Sequence, residues 1–133
     1  MQDIHERIHS PHRAGSIAFT IERRDDDCVV SRMPITDGVR NPFGTVHAGA
    51  MIWLADVTAS VLAIGRQELG PEGQGFPLAV DLHTTLVGNQ RDGEISAEAR
   101  YVRKGRRVIV IRTTVLGDEG RVLAEVTSTH VPA

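Results

Sequence analysis

One cysteine, Cys28, is all the thiol chemistry in 133 residues. That excludes an internal disulfide framework and a zinc cluster built on thiolates. There is no basic excess either. The formal net charge is -2, whereas a nucleic-acid binder usually shows a basic balance. No uncharged apolar run reaches the length that a membrane span needs. The opening "MQDIHERIHSPHRAG" is charged and histidine-rich, with no apolar core to serve as a signal peptide. Internal repeats and low-complexity tracts are absent. What remains, with 41% apolar and 24% charged residues, reads as a cytoplasmic globular protein with one hydrophobic core.

Residues 1–15 are polar and broken by Pro11 and Gly15, which predicts a lead-in arm to a single domain over 16–133. "SIAFTIE" (16–22) and "CVVSRMPI" (28–35) read as two strands around the acidic turn Asp25-Asp26-Asp27. After the Gly- and Pro-rich loop "GPEGQGFP", everything from Pro77 on reads as strand. "LAVDLHTTLV", "EISAEARYV", "RRVIVIRTTVL" and "RVLAEVTSTHV" are separated by short turns, which implies an antiparallel meander.

Between these blocks, Ala48 to Glu68 lacks proline, and its apolar residues cover most of a helical circumference. That predicts a central, largely buried helix, capped at Thr45 or Gly44 and ended by Gly65 or Gly70. Two strands, one long helix and a run of long antiparallel strands make an α+β architecture. A helix wrapped by a curved sheet is a hotdog, and half of that apolar helix still needs cover, so a dimer is expected.

The chemistry concentrates in "NPFGTVHAGAMIWLADVTAS" (41–60). An acid inside an apolar helix is costly unless paired or used. Asp56 and Ser60, four apart, share a helix face. Asn41 and His47 precede the helix, and the N–H groups of Ala48 and Gly49 lie at its N-terminus, where orphan donors favour a developing anion. Together these are parts of an acyl-transfer site. Spacing alone leaves the plain readings open. Asp56 also reads as a structural acid, paired with an Arg or capping a loop, His47 more simply as a hydrogen-bonded loop residue, and Asn41 most simply as a turn residue before Pro42.

"NPFGTVHAGAMIWLAD" resembles the signature of the PaaI-type hotdog acyl-CoA thioesterases, and the likeness continues through the later strands. The resemblance implies hydrolysis of an acyl-CoA thioester, with coenzyme A as part of the substrate and no separate cofactor or metal. It matches Asp56 to the essential acid, nucleophile or general base, and Asn41 to the residue that positions thioester or water. His47 matches the histidine that orients the loop, Ala48 the N–H donor to the thioester oxygen, and Ser60 a hydroxyl that holds the attacking water. It also implies a homodimer or a tetramer, with the acid from one subunit and the Asn–His loop from its partner. Where the family writes His-Gly-Gly, this chain has His47-Ala48-Gly49, so a Cβ enters beside the carbonyl pocket.

The turn "VRKGRRV" gathers Arg103, Lys104, Arg106 and Arg107, either a solvated hairpin tip or a dock for the phosphates of coenzyme A. Asp81 and His83 share one side of a strand, more simply as hydrogen-bonding residues than as half a metal site. His5, His9 and His12 fall in the polar arm, while Trp53 and Met51 read as packing residues. A non-catalytic acyl-CoA-binding hotdog is the competing function. A hotdog dehydratase does not match the histidine-to-acid spacing.

Overall fold

The computed structural model describes residues 3–9 and 14–133. Period-two patterning builds the sheet. Val29, Ser31 and Met33 of β2 (Cys28–Pro34) are buried, while Arg32 and Pro34 face solvent. In β4 (Glu94–Lys104) the inward residues are Ile95, Ala97 and Ala99, and in β5 (Ile109–Leu116) they are Ile111, Thr113 and Val115. In β6 (Val122–Pro132) they are Ala124, Val126, Ser128 and His130. With β1 (Thr20–Arg24) and β3 (Pro77–Leu86), these form one six-stranded antiparallel sheet in the order β1-β2-β4-β5-β6-β3.

The inward face is covered by α2 (Ala48–Ile64). Ala97 and Ala99 at the middle of the sheet meet Ala55 and Ala59 on the helix, and Met51, Leu54 and Leu62 fill the flanks. Small residues on both surfaces let the helix lie close to the sheet. Two buried hydroxyls are settled locally: Ser31 Oγ donates to Thr58 Oγ1, which donates to the Leu54 carbonyl at 2.6 Å. Gly65 ends the helix at φ +56°, a conformation that favours glycine, and Arg24 donates to its carbonyl at 2.8 Å. A long helix against one curved antiparallel sheet is the hotdog architecture expected from the sequence.

Three local expectations change. The first strand begins at Thr20 rather than Ser16, because the segment before it leaves the sheet. Ser16 accepts from Thr36 Oγ1 at 3.0 Å, and Phe19 meets Trp53 edge-on at 5.3 Å between centroids. The arm contains a short helix, α1 (Ile4–His9), with His5 exposed, while the His9 side chain and His12 lie outside the described residues. The cap of α2 is His47, not Thr45 or Gly44.

Two surfaces stay incompletely covered in one chain. On edge strand β3 and just beyond it, Leu78, Val80, Leu82, Leu86 and Val87 are 42% to 61% exposed. On α2, Trp53, Val57, Val61 and Ile64 are only half-buried, although Met51 is fully in the core. A long apolar edge of this kind is an aggregation liability unless another strand covers it.

Candidate active site

The loop before α2 is held by its own side chains. Asn41 Oδ1 accepts the N–H groups of Phe43 and Thr45 at 3.0 and 3.2 Å, and Asn41 Nδ2 donates to Thr45 Oγ1 at 2.8 Å. The Asn41 N–H reaches the Thr45 carbonyl at 2.8 Å, and Gly44 supplies the φ of +84° that the tight turn needs. The Asn41 amide is therefore committed to the loop. In the single chain it is the turn residue that its place before Pro42 suggests.

His47 has extended backbone angles (φ -65°, ψ 136°), and its Nδ1 accepts the Gly49 N–H at 2.9 Å. The imidazole thus caps the helix as an Asn or Asp side chain would, and the neutral ring carries its proton on Nε2. A Cβ on Gly49 would lie 3.1 Å from Nδ1, so the glycine makes room for the folded-back ring. Gly49 is accordingly spent on the cap and not available to an oxyanion. The carbonyl of His47 takes the Ala50 and Met51 N–H groups at 2.9 and 3.3 Å. Among the described residues, only the Ala48 N–H of this first turn has no acceptor. Ala48 is not among the positive-φ residues, so its Cβ brings no backbone strain.

Asp56 lies on the half-buried side of α2, and its Oδ1 is buried without a hydrogen-bond partner. No ion pair among the described residues includes it. Ser60 is one turn further on the same face. Ala48 is about 12 Å from Asp56 along the helix, at about 1.5 Å per residue. One chain therefore separates the free donor from the free carboxylate by far more than one thioester carbonyl can span.

Inward from α2, His130 is fully buried. Its Nε2 and Ser128 Oγ are 2.8 Å apart, and its Nδ1 faces the Pro77 carbonyl at 3.4 Å. Burial pushes its pKa below the ordinary 6.5, against the pull of the Pro77 carbonyl and the Asp56 carboxylate. The unfolded chain therefore takes up this proton more readily than the folded one. The stability it confers is complete above pH 6.5 and falls as the pH drops through the folded value. Urea titrations from pH 7.5 to 5 are expected to show a falling midpoint, with a shallower fall in His130→Gln.

The basic hairpin is exposed, and Lys104 Nζ lies 5.1 Å from the centre of the Tyr101 ring. Among the described residues none of Arg103, Lys104, Arg106 and Arg107 pairs with a carboxylate. Tyr101 donates to the Leu62 carbonyl at 2.7 Å, which fixes the hairpin base to the C-terminal end of α2. Asp81 and His83 lie opposite Thr129 and Thr127 on the outer face.

Sequence reasoning missed two contributors. His130 was findable, since counting by twos from Val126 puts it on the inner face. Asn89 was not: its partner Val46 is 43 residues away.

A family model described as a domain of unknown function, DUF4442, matches residues 10–131. The chain belongs to this family, and its fold is the hotdog. A Deinococcus radiodurans protein with a provisional esterase name is 37% identical over 93 residues, 70% of this chain. The chain spans 56% of that relative's length. The 1,4-dihydroxy-2-naphthoyl-CoA hydrolase of Escherichia coli is 25% identical over 107 residues, covering 80% of this chain and 76% of the hydrolase. A Streptococcus pneumoniae hypothetical thioesterase, solved with coenzyme A, superposes at a TM-score of 0.76 with 19% identity, over 87% of this chain and 89% of that one. It shows the fold of the DUF4442 chain.

Proposed function

We propose that this protein hydrolyses acyl-CoA thioesters to the free acid and coenzyme A. The observation that carries the reading is a matched pair of unused groups in a hotdog chain: the Ala48 N–H at a helix N-terminus and the Asp56 carboxylate in mid-helix. The named activities of the relatives supply the substrate class.

The two groups are too far apart in one chain, so the site is completed by a second copy. The exposed apolar edge at β3 is the surface that such a copy would cover. Asp56 of one subunit then faces the His47–Ala48 turn of the other. The Ala48 N–H, backed by the α2 dipole, takes the oxyanion that forms as the thioester carbon becomes tetrahedral. Asp56 either attacks that carbon, giving a mixed anhydride that water cleaves, or removes a proton from an attacking water. In both cases the C–S bond breaks, the coenzyme A thiolate leaves and gains a proton, and water supplies the oxygen of the free acid. Ser60 is placed to hold the water, and His47 Nε2–H to bond the thioester or its loop.

A thiol-release assay over a panel of acyl-CoA esters tests the proposal. Dihydroxynaphthoyl, benzoyl-like, aryl-acetyl and medium-chain groups belong in it. Turnover of at least one is the expected result, and binding without release of thiol would make the protein an acyl-CoA binder instead. The basic hairpin gives a finer expectation. Arg106→Glu with Arg107→Glu should raise KM for acyl-CoA severalfold and leave KM for the N-acetylcysteamine thioester unchanged, because the latter lacks phosphates. Equal KM changes for both substrates would reduce the hairpin to a solvated tip.

A further inference from the structure

One side chain from outside the catalytic stretch grips the peptide beside the oxyanion donor. Asn89 sits in the connection between β3 and β4. Its Oδ1 accepts the Val46 N–H at 3.0 Å, and its Nδ2 donates to the Val46 carbonyl at 2.9 Å. A single amide thus makes the pair of bonds that opposed residues exchange in an antiparallel ladder. The Val46 carbonyl lies in the same rigid plane as the His47 N–H, which donates to the Val39 carbonyl at 2.8 Å. That plane is held at both polar ends. The next plane along the chain carries the Ala48 N–H.

Other bonds reach Val46 at longer range: the Gln90 carbonyl shares the Val46 N–H at 3.2 Å, and Asn41 Nδ2 lies 3.5 Å from the Val46 carbonyl, so Asn89 makes the shorter bond at each end. The remaining loop bracing acts elsewhere. Arg91 donates to the Phe43 carbonyl at 2.8 Å, and Arg40 pairs with Asp92 at 3.2 Å. Neither contact touches residues 46–48. Asn89 is itself anchored, with Arg121 donating to its carbonyl at 2.6 Å and the Gln90 N–H reaching its Oδ1 at 2.8 Å. Its side chain is committed to Val46 and Gln90, so it acts on the reaction through the turn and not by touching substrate.

We propose that Asn89 is a positioning residue: its side-chain amide fixes the peptide entering His47 and so aims the Ala48 N–H. The inference rests on the thioesterase reading. A misplacement on the order of 1 Å in a reacting geometry costs about 10²-fold, and Asn89 would carry a share of that.

The test compares wild type, Asn89→Ala, Asn89→Asp and Gln90→Ala in the intact protein, reading kcat, KM and amide hydrogen exchange at His47. In Asn89→Ala, kcat is expected to fall about tenfold to hundredfold with KM nearly unchanged. Exchange at His47 is expected to speed up about tenfold or more. Asn89→Asp keeps the size and Oδ1 but loses the Nδ2 donor, so it should show the same kcat defect if the alanine variant folds poorly. Gln90→Ala loses bonds to the Asp92 and Glu94 carbonyls and the Asp118 N–H. It should lower Tm and leave kcat and His47 exchange at wild-type values.

Unchanged kcat in both Asn89 variants would overturn the proposal, as would unchanged His47 exchange or an equal kcat loss in Gln90→Ala. If wild type releases thiol from no acyl-CoA, the hydrolysis reading fails, and the exchange measurement alone decides whether Asn89 fixes the turn.

Discussion

Asp56→Ala is expected to remove thioester hydrolysis, with kcat down by on the order of 10³–10⁵-fold, while the folded chain becomes no less stable. The two halves of this result come from one observation. Asp56 Oδ1 is buried with no hydrogen-bond partner, and leaving such a group unsatisfied costs about 1–3 kcal/mol. Alanine removes the group and has the highest helix propensity. Tm should therefore hold or rise as activity disappears, the exchange of stability for function that active sites show. A structural acid behaves in the opposite way: its loss strands a cation or a donor and lowers Tm. Retained thiol release in Asp56→Ala, measured beside a melting curve, would sink the catalytic assignment.

The fold was legible where local chemistry and tertiary packing agree. Strands β4 to β6 alternate cleanly, and their turns at Gly105 and at Asp118 to Gly120 carry turn residues, so their limits differ from the sequence reading by a few residues at most. The first strand agrees less well. "SIAFT" alternates loosely enough to read as strand, yet Phe19 is drawn to Trp53, and nothing local in the sequence announces that partner. The end of α2 was a choice between Gly65 and Gly70, which a positive φ at Gly65 settles.

The site was legible in its parts but not in their division of labour. Residue types and spacing marked Asn41, His47, Ala48, Gly49, Asp56 and Ser60. They do not tell which polar atoms the chain itself consumes. Asn41 is consumed by its loop and the Gly49 N–H by the His47 ring, which leaves Ala48 and Asp56 as the unspent pair. The alanine at position 48 looked like the unsettled departure from the family pattern. The steric demand falls instead on Gly49, whose Cβ would crowd His47 Nδ1 at 3.1 Å. Such assignments depend on partners brought together by folding, as Asn89 and Val46 are, and no periodicity encodes them.

Ala48→Pro isolates the oxyanion donor. Proline is well tolerated at the first helical position, where its missing N–H has no helical partner. The residue before a proline prefers extended angles, which His47 already has at φ -65° and ψ 136°. The variant should fold, keep the His47 cap, and lose about 10²–10³-fold in kcat. Mixing it with Asp56→Ala then tests the division of the site between subunits. In a hybrid dimer, one site unites the intact Asp56 of one chain with the intact turn of the other, while the second site has both defects. After random reassortment, half of the dimers are hybrids with one working site in two, so activity should return to about a quarter of wild type. If acid and turn of the same chain worked together, every site in the mixture would carry a defect and activity would stay at the level of the separate variants. The helix geometry already argues against that outcome, because about 12 Å of α2 separates Ala48 from Asp56.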